Sequence, residues 1–321
     1  MNATDIHFYD QLLDGDHPTM AQEVVAGLMA KPKFCSPKFF YDHKGSELFE
    51  KICQLPEYYP TRTEEAILRQ AVPEIAELAG DNATLVELGS GASRKVRLLL
   101  ESLSVQCYLG VDISRDFLIS STRRLAADYP WLEVHAACAD FTRGLSLPEA
   151  IRPEQLVAFF PGSSIGNFTP QAAERFLTSL HGCLPTGSGL LVGVDLLKDP
   201  HLLEAAYNDA EGITAEFNLN LLDRLRRELK LDIRRERFSH RAVFNQRQSR
   251  IEMHLDSRIS QVLSLNGQSI RFREGESIHT ENSYKYTVPG FRNLASRAGF
   301  ESCRVWSDDE GLFSVHYLVS T

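Results

Sequence analysis

Six cysteines (Cys35, Cys53, Cys107, Cys138, Cys183 and Cys303) are scattered along 321 residues, and no two form a Cys-x-x-Cys pair. That spacing argues against the common zinc and thiol-redox motifs and fits reduced thiols in a cytosolic protein. Long apolar runs are also missing. The most apolar stretches, such as Leu190–Val194, have strand length, well short of the roughly 20 residues a membrane helix requires. The opening MNATDIHFYDQLL lacks a basic patch followed by an apolar stretch, so no secretory leader is read there. Positive charge is in deficit: 34 Lys and Arg face 43 Asp and Glu, a net charge of −9. An acidic surface repels phosphate backbones and argues against a nucleic-acid substrate. There are no internal repeats and no low-complexity tracts. None of the ten histidines shows metal-ligand spacing with another histidine, and no Ser–His–Asp or Cys–His set stands out. The expectation is a cytoplasmic, monomeric protein with no metal and with neither nucleic acid nor membrane as partner.

What is present is a globular composition, 43% hydrophobic and 24% charged. Residues 5–27 read as an interrupted helix. An aromatic cluster follows (Phe39, Phe40, Tyr41, Phe49, Tyr58, Tyr59), either packing or a pocket wall. From Arg62 the pattern turns regular. Helical stretches at 63–78, 95–103, 115–129 and 171–184 alternate with strands at 84–88, 107–111, 132–138, 156–160 and 189–195. Several of these strands are apolar throughout, as in a parallel sheet covered by helices on both faces. After Pro200 the rhythm changes. A helical stretch spans 201–229, then residues 238–276 alternate apolar and polar, with Asn266-Gly267 as a hairpin turn signal. A helix at 288–298 and strands near 303–307 and 312–319 close the chain. The expected division is a core of 62–199 and 287–321, with a second domain of 1–61 and 200–286.

Open α/β sheets bind ligands beyond the carboxyl ends of their strands, where strand order reverses. The first strand runs into Glu87-Leu88-Gly89-Ser90-Gly91, and glycine lets the backbone approach a ligand without a Cβ. A dinucleotide fingerprint needs glycine or alanine where Arg94 stands, and the phosphate-cradling Gly-x4-Gly-Lys-Ser/Thr is absent. Asp112 ends the second strand 23 positions after Gly89, a spacing suited to a ribose-binding carboxylate. Asp140-Phe141 ends the third, with a carboxylate for an adenine amine and a ring for its face. The polar turn 162–167 ends the fourth. Each feature alone has a structural alternative, since strand-end Asp often caps the next helix. In this order they point to S-adenosyl-L-methionine. Methyl transfer from a sulfonium depends on alignment and an unprotonated nucleophile, so a site without acid–base sets is consistent. The fold class expected is α/β: a seven-stranded class I (Rossmann-like) methyltransferase core with a second, smaller α+β domain.

Further segments carry a more specific likeness. Phe40-Tyr41-Asp42-His43-Lys44-Gly45-Ser46, Leu55-Pro56-Glu57-Tyr58-Tyr59-Pro60-Thr61-Arg62, the glycine turn, Pro161-Gly162-Ser163-Ser164-Ile165-Gly166-Asn167-Phe168 and Ile278-His279-Thr280-Glu281-Asn282-Ser283 occur in order. Together they resemble the bacterial L-histidine Nα-methyltransferase family of ergothioneine biosynthesis, over essentially the whole chain. The resemblance implies trimethylation of the α-amino group of L-histidine to hercynine. It implies donor binding by Gly89, Lys95, Asp112, Asp140 and Phe141. It implies substrate binding by Tyr41, Tyr58, Asn167, Tyr207, Met253, Glu281 and Ser283, with Tyr58 and Asn167 nearest the chemistry. Glu281 and Ser283 would hydrogen-bond the imidazole, and Met253 would pack beside it. The pair is physically suited to that role. Residues two apart on a strand share a face, and a carboxylate plus a hydroxyl satisfy two ring nitrogens. Without the resemblance, Glu281 and Ser283 read as an exposed strand face, Tyr58 and Tyr207 as half-buried tyrosines, Met253 as core, and Lys95 as a solvated helix residue. Competing readings are methylation of another amino acid or biogenic amine, and a non-catalytic donor-binding module.

Overall fold

The computed structural model describes residues 6–12, 18–151, 155–265 and 267–321. The chain opens with β1 (His7–Asp10), α1 (Met20–Met29), β2 (Lys33–Phe34), α2 (His43–Ile52) and α3 (Tyr59–Ala79). Then come β3 (Ala83–Leu88), α4 (Arg94–Leu100), β4 (Val105–Asp112), α5 (Arg115–Asp128), β5 (Glu133–Cys138), β6 (Leu156–Phe160), α6 (Pro170–Cys183) and β7 (Gly189–Asp195). It continues through α7 (Pro200–Ala205), α8 (Ile213–Leu229), β8 (Phe238–Asn245), β9 (Arg250–Ser257), β10 (Gln261–Leu265), β11 (Gln268–Phe272) and β12 (Ser277–Tyr284). The last elements are α9 (Val288–Arg297), β13 (Phe300–Ser307) and β14 (Phe313–Ser320). Two compact units emerge: one holds 60–197, 284–321 and the N-terminal strand, and the other holds the described residues of 18–59 and 198–283.

The first unit is built on one sheet in the order β1-β5-β4-β3-β6-β7-β14-β13. β1 and β3 to β7 run parallel, whereas β14 lies antiparallel to both β7 and β13. Strand order reverses at β3, between β4 and β6. β3, β6 and β7 are buried along their whole length. Alternate residues serve opposite faces. Val86, Leu88, Val192 and Val194 pack with Phe176 and Leu177 of α6 and with Phe291 and Leu294 of α9. Leu85 and Leu191 pack with Ile67, Leu68 and Ile75 of α3 and with Val96 and Leu99 of α4. Each fully buried Leu, Val, Ile or Phe contributes about 1.5–3 kcal/mol, so both coats are needed to hold the sheet. α6 shows how sequence sets such a coat. Thr169 caps it by accepting from Ala172 N at 3.2 Å, and Pro170 fits its first position. Ala173, Phe176, Leu177 and Leu180 then fall on one face.

The expected seven strands are joined by an eighth. β1 pairs in parallel with β5, placing Phe8 opposite Ala136, and Ile6 and Phe8 pack on Leu118, Ala136 and Cys138. This corrects two expectations, a helix across 5–27 and a place for residues 7–10 in the second domain. A four-residue strand is too short to establish its own period, so the helical pattern of α1 dominates the window.

The second unit holds a four-stranded sheet ordered β2-β12-β9-β8, and β10 and β11 form a separate antiparallel pair. Leu265 pairs with Gln268 at the closed end. Asn266 of the expected turn lies outside the described residues. α8 buries Phe217, Leu221, Leu222 and Leu225. The single helix expected over 201–229 is divided into α7 and α8. Gly212 adopts φ +73°, which ends any helical run, and the Asp209 carboxylate accepts from Ile213 N and Thr214 N at 2.8 Å each to start α8. Burial works against the Asp209 charge, but hydrogen bonds from Thr214 and Ile213 outweigh it and hold the carboxyl below its usual range.

Candidate donor and acceptor sites

The donor side belongs to the first unit. β3 ends in a turn where Gly89 and Gly91 both take positive φ, +70° and +49°. An L side chain at either position would be strained, so the turn presents bare backbone at the switch point of the sheet. Asp112, at the end of β4, accepts from Gly91 N at 3.0 Å and from Ser114 N at 2.8 Å. Burial raises its carboxyl despite these donors. Asp140 caps its own turn, accepting from Thr142 N at 3.2 Å and pairing with Arg143 at 3.2 Å. Phe141 stands edge-on to Phe160, centroids 5.7 Å apart, and its ring edge would lie 3.9 Å from a Cβ at Gly89.

Two acids not among the expected donor residues stand in the same place. Glu87, inside β3, accepts the Tyr108 hydroxyl at 2.6 Å. Burial lifts its carboxyl to about 8, against the pull of Tyr108 and of the Lys95 charge. Glu64, from α3, takes the Lys95 ammonium. Glu87 is visible in the sequence as the acid beside the glycine turn. Glu64 carries no periodic signal, and only the fold brings it to residues 95 and 162.

These residues suit a sulfonium donor. Its carboxylate, amine, ribose hydroxyls and adenine call for a cation, carboxylates, bare backbone and an aromatic ring. Lys95, Glu87, Asp112, the Gly89–Gly91 turn and Phe141 supply that set.

The turn after β6 completes the carboxyl-end loops. Ser163 adopts φ +55° and its Oγ accepts from Asp195 N at 2.9 Å, while Gly166 N donates to Ser163 O at 2.8 Å. Gly166 lies against the chain at Tyr284: a Cβ there would stand 2.8 Å from the Tyr284 carbonyl oxygen. Asn167, half-buried, ends this turn. It is the one expected substrate residue in the first unit.

The others lie in the second unit. Tyr58, Tyr207, Met253 and Ser283 are all buried. Tyr207 donates its hydroxyl to Ser283 Oγ at 2.8 Å, and its ring meets Tyr58 edge-on with centroids 6.2 Å apart. Phe49 stands edge-on to both Tyr58 and Tyr41. Burial, then the neighbouring Tyr207, Cys53 and Glu281, raise the Tyr58 hydroxyl well above its ordinary pKa. Met253 is tied in by its carbonyl, which accepts from Thr280 Oγ1 at 3.1 Å. In the sequence Phe49 belongs to the aromatic cluster without a distinct role, and Asp42 has none of its own. Asp42 caps α2 through Gly45 N at 2.7 Å and accepts from Asn220 at 2.9 Å, holding the chain beside Tyr41.

Sequence spacing hides two histidine clusters that the strands assemble. Glu252, His254 and His279 form one, and His7, Glu133 and His135 form the other, each with potential ligand atoms within 4.8 Å. In the first, the rings of His254 and His279 stack at 4.8 Å and Glu252 is paired with Arg250 at 2.6 Å. In the second, His135 bonds Tyr9 and Glu133 at 3.1 Å each. The His254–His279 stack joins β9 to β12 and the Tyr9–His135 bond joins β1 to β5, whereas the Glu252–Arg250 and Glu133–His135 contacts lie within single strands. Among the described residues, no helix is long and apolar enough to cross a membrane.

A parallel sheet with one reversed strand, β14, set between β7 and β13, and a glycine turn, acids and an aromatic at its carboxyl end, define an S-adenosylmethionine-dependent methyltransferase core. The profile of the family described as histidine-specific methyltransferase, SAM-dependent, matches residues 20–320, and the chain belongs to that family. A histidine N-alpha-methyltransferase of Mycolicibacterium smegmatis is 40% identical over 95% of this chain and 96% of its own length. The ergothioneine biosynthesis protein 1 of Neurospora crassa is 32% identical over 86% of this chain and 32% of its own length. A 4-dimethylallyltryptophan N-methyltransferase of Claviceps purpurea is 26% identical over 91% of this chain and 92% of its own. Among solved structures, an S-adenosylmethionine-dependent methyltransferase from Clostridium acetobutylicum aligns with TM-score 0.47 at 9% identity, covering 80% of this chain and 91% of that one.

Proposed function

We propose that this protein transfers methyl groups from S-adenosylmethionine to the α-amino group of L-histidine, three in succession, giving hercynine for ergothioneine biosynthesis. The observation that carries the acceptor assignment is the buried Tyr207–Ser283 hydrogen bond, with Glu281 on the same strand as Ser283. Support for histidine comes from the family and from the mycobacterial relatives, 40% and 39% identical. When bound, the donor supplies a methyl group by in-line displacement at its sulfonium, so the protein contributes chiefly alignment. Glu281 and Ser283 hold the two imidazole nitrogens. Met253 packs beside the ring, and Tyr41 closes the aromatic side. Asn167 and Tyr207 hold the amino acid's carboxylate and amine. Gly89, Lys95, Asp112, Asp140 and Phe141 hold the donor.

Tyr58 is held as a neutral phenol by its burial, so it orients the amine by hydrogen bonding rather than acting as a phenolate base. The ammonium proton leaves to solvent before each transfer. The test is mass spectrometry of L-histidine incubated with the protein and the donor. A gain of three methyl groups is expected, and histamine, which lacks the carboxylate, should remain unmodified. No gain, or gain on tryptophan or tyrosine in preference to histidine, would transfer the assignment to another amino acid.

A further inference from the structure

Lys95 does not act as a lone charge. Its ammonium pairs with Glu64, whose side chain has no exposed surface, while Lys95 itself keeps 15% exposure. The Gly162 amide donates to both Glu64 oxygens, at 3.0 and 2.9 Å. The space for that carboxylate is made by Gly193 on β7, where a Cβ would stand 1.9 Å from Glu64 Oε1. A Cβ at Gly162, already at φ +77°, would lie 3.4 Å from Lys95 Nζ. One buried acid from α3 therefore ties the first turn of α4 to the loop after β6, and a glycine on a third element is given up to seat it. A carboxylate so fully buried is costly unless every partner is present, which makes the arrangement specific rather than incidental.

We propose that Glu64 is a positioning residue for the methyl donor. It holds the Lys95 ammonium and the Gly162 turn in one geometry, so that the lysine meets the carboxylate end of the donor already oriented. The proposal rests on the reading of Lys95 as a donor ligand. It also explains why an acid sits beside a lysine assigned to an anionic group: the acid restrains the side chain, and the paired charge remains a hydrogen-bond donor.

Three variants test it: Glu64→Gln, which keeps the shape and one oxygen for the Gly162 amide; Gly193→Ala, which crowds Glu64 without altering its charge; and Lys95→Met. Binding of S-adenosylmethionine and of its demethylated product is measured by calorimetry, with kcat and both KM values alongside. Positioning predicts that Glu64→Gln and Gly193→Ala each weaken both ligands by the same factor, about tenfold, the effect of losing one charged hydrogen bond. The KM for histidine and the kcat at saturating donor should stay within about twofold, inside the error of independent sites. Glu65→Gln, one residue along α3, should leave both affinities unchanged. A larger loss for the sulfonium donor than for its product, whose sulfur is uncharged, would overturn the proposal, because it would make Glu64 a counter-charge. Unchanged affinities in Glu64→Gln with weakened affinities in Lys95→Met would overturn it as well. Unchanged affinities in Lys95→Met would instead remove the donor lysine itself.

Discussion

Removing the Tyr207 hydroxyl should damage recognition of the acceptor more than it damages the fold. Tyr207 Oη donates to Ser283 Oγ at 2.8 Å, and both residues are buried, at 7% and 4% exposure. With Oγ accepting from the tyrosine, the serine's own hydrogen is directed away from it, the polarity needed to donate to a ring nitrogen. Tyr207→Phe withdraws that donor and lets the serine reorient. An ordinary hydrogen bond contributes about 0.5–1.5 kcal/mol, and a buried group left without its partner costs about 1–3 kcal/mol. The expected result is about 1 kcal/mol of lost stability in urea unfolding and a rise of roughly tenfold in histidine KM, one hydrogen bond's worth. Ser283→Ala should do the same by removing the acceptor of the tyrosine's hydrogen. The double variant should cost less than the sum of the singles by about 1 kcal/mol, because both single variants remove the same hydrogen bond. Strict additivity, within about 0.5 kcal/mol, in both unfolding and KM would refute the coupling and the role assigned to Ser283.

Two further outcomes follow from the same geometry. Glu281→Gln should raise histidine KM by about tenfold or more, the loss of a charged hydrogen bond, while affinity for the demethylated donor measured by calorimetry stays within about twofold. The second concerns acid stability. Burial opposes the Glu252 charge, but hydrogen bonds from Arg250, Asn245 and His254 and the Arg250 charge hold its carboxyl at about 2. A depressed carboxyl stabilises the fold above its unfolded value near 4.3 and loses that contribution as pH falls toward 2. Solvent screening at this partly exposed site reduces the effect to about 1 kcal/mol. Urea unfolding between pH 5 and pH 2.5 should show Glu252→Gln converging on the parent as pH falls; a constant gap would contradict it.

The parallel core is legible because its signals are local. β6 and β7 are apolar from end to end, and each following helix has a cap and a stripe, as Thr169 and Phe176 show in α6. The glycine turn and the strand-end acids are legible for the same reason: a ligand site at the carboxyl ends of strands is written at strand boundaries. β1 is not, because its stability comes from β5 and from Leu118, more than a hundred residues away. Nor is Glu64, whose partners are Lys95, Gly162 and the open space at Gly193. For Ser283 the strand pattern alone suggests an exposed face. Its burial depends on Tyr207, which lies 76 residues earlier in the chain.

The short strand β1 changes what a truncated form of this protein would do. The family match begins at residue 20, whereas β1 occupies His7–Asp10 and covers the outer edge of β5. Stripping the chain back to the shared family boundary would uncover a row of unpaired β5 amides and carbonyls beside Leu118, Ala136 and Cys138. Such an edge is a template for a second chain. With β1 in place the outer strand is only four residues long, shorter than the six-residue β5 behind it, and a short edge is a poorer template for pairing.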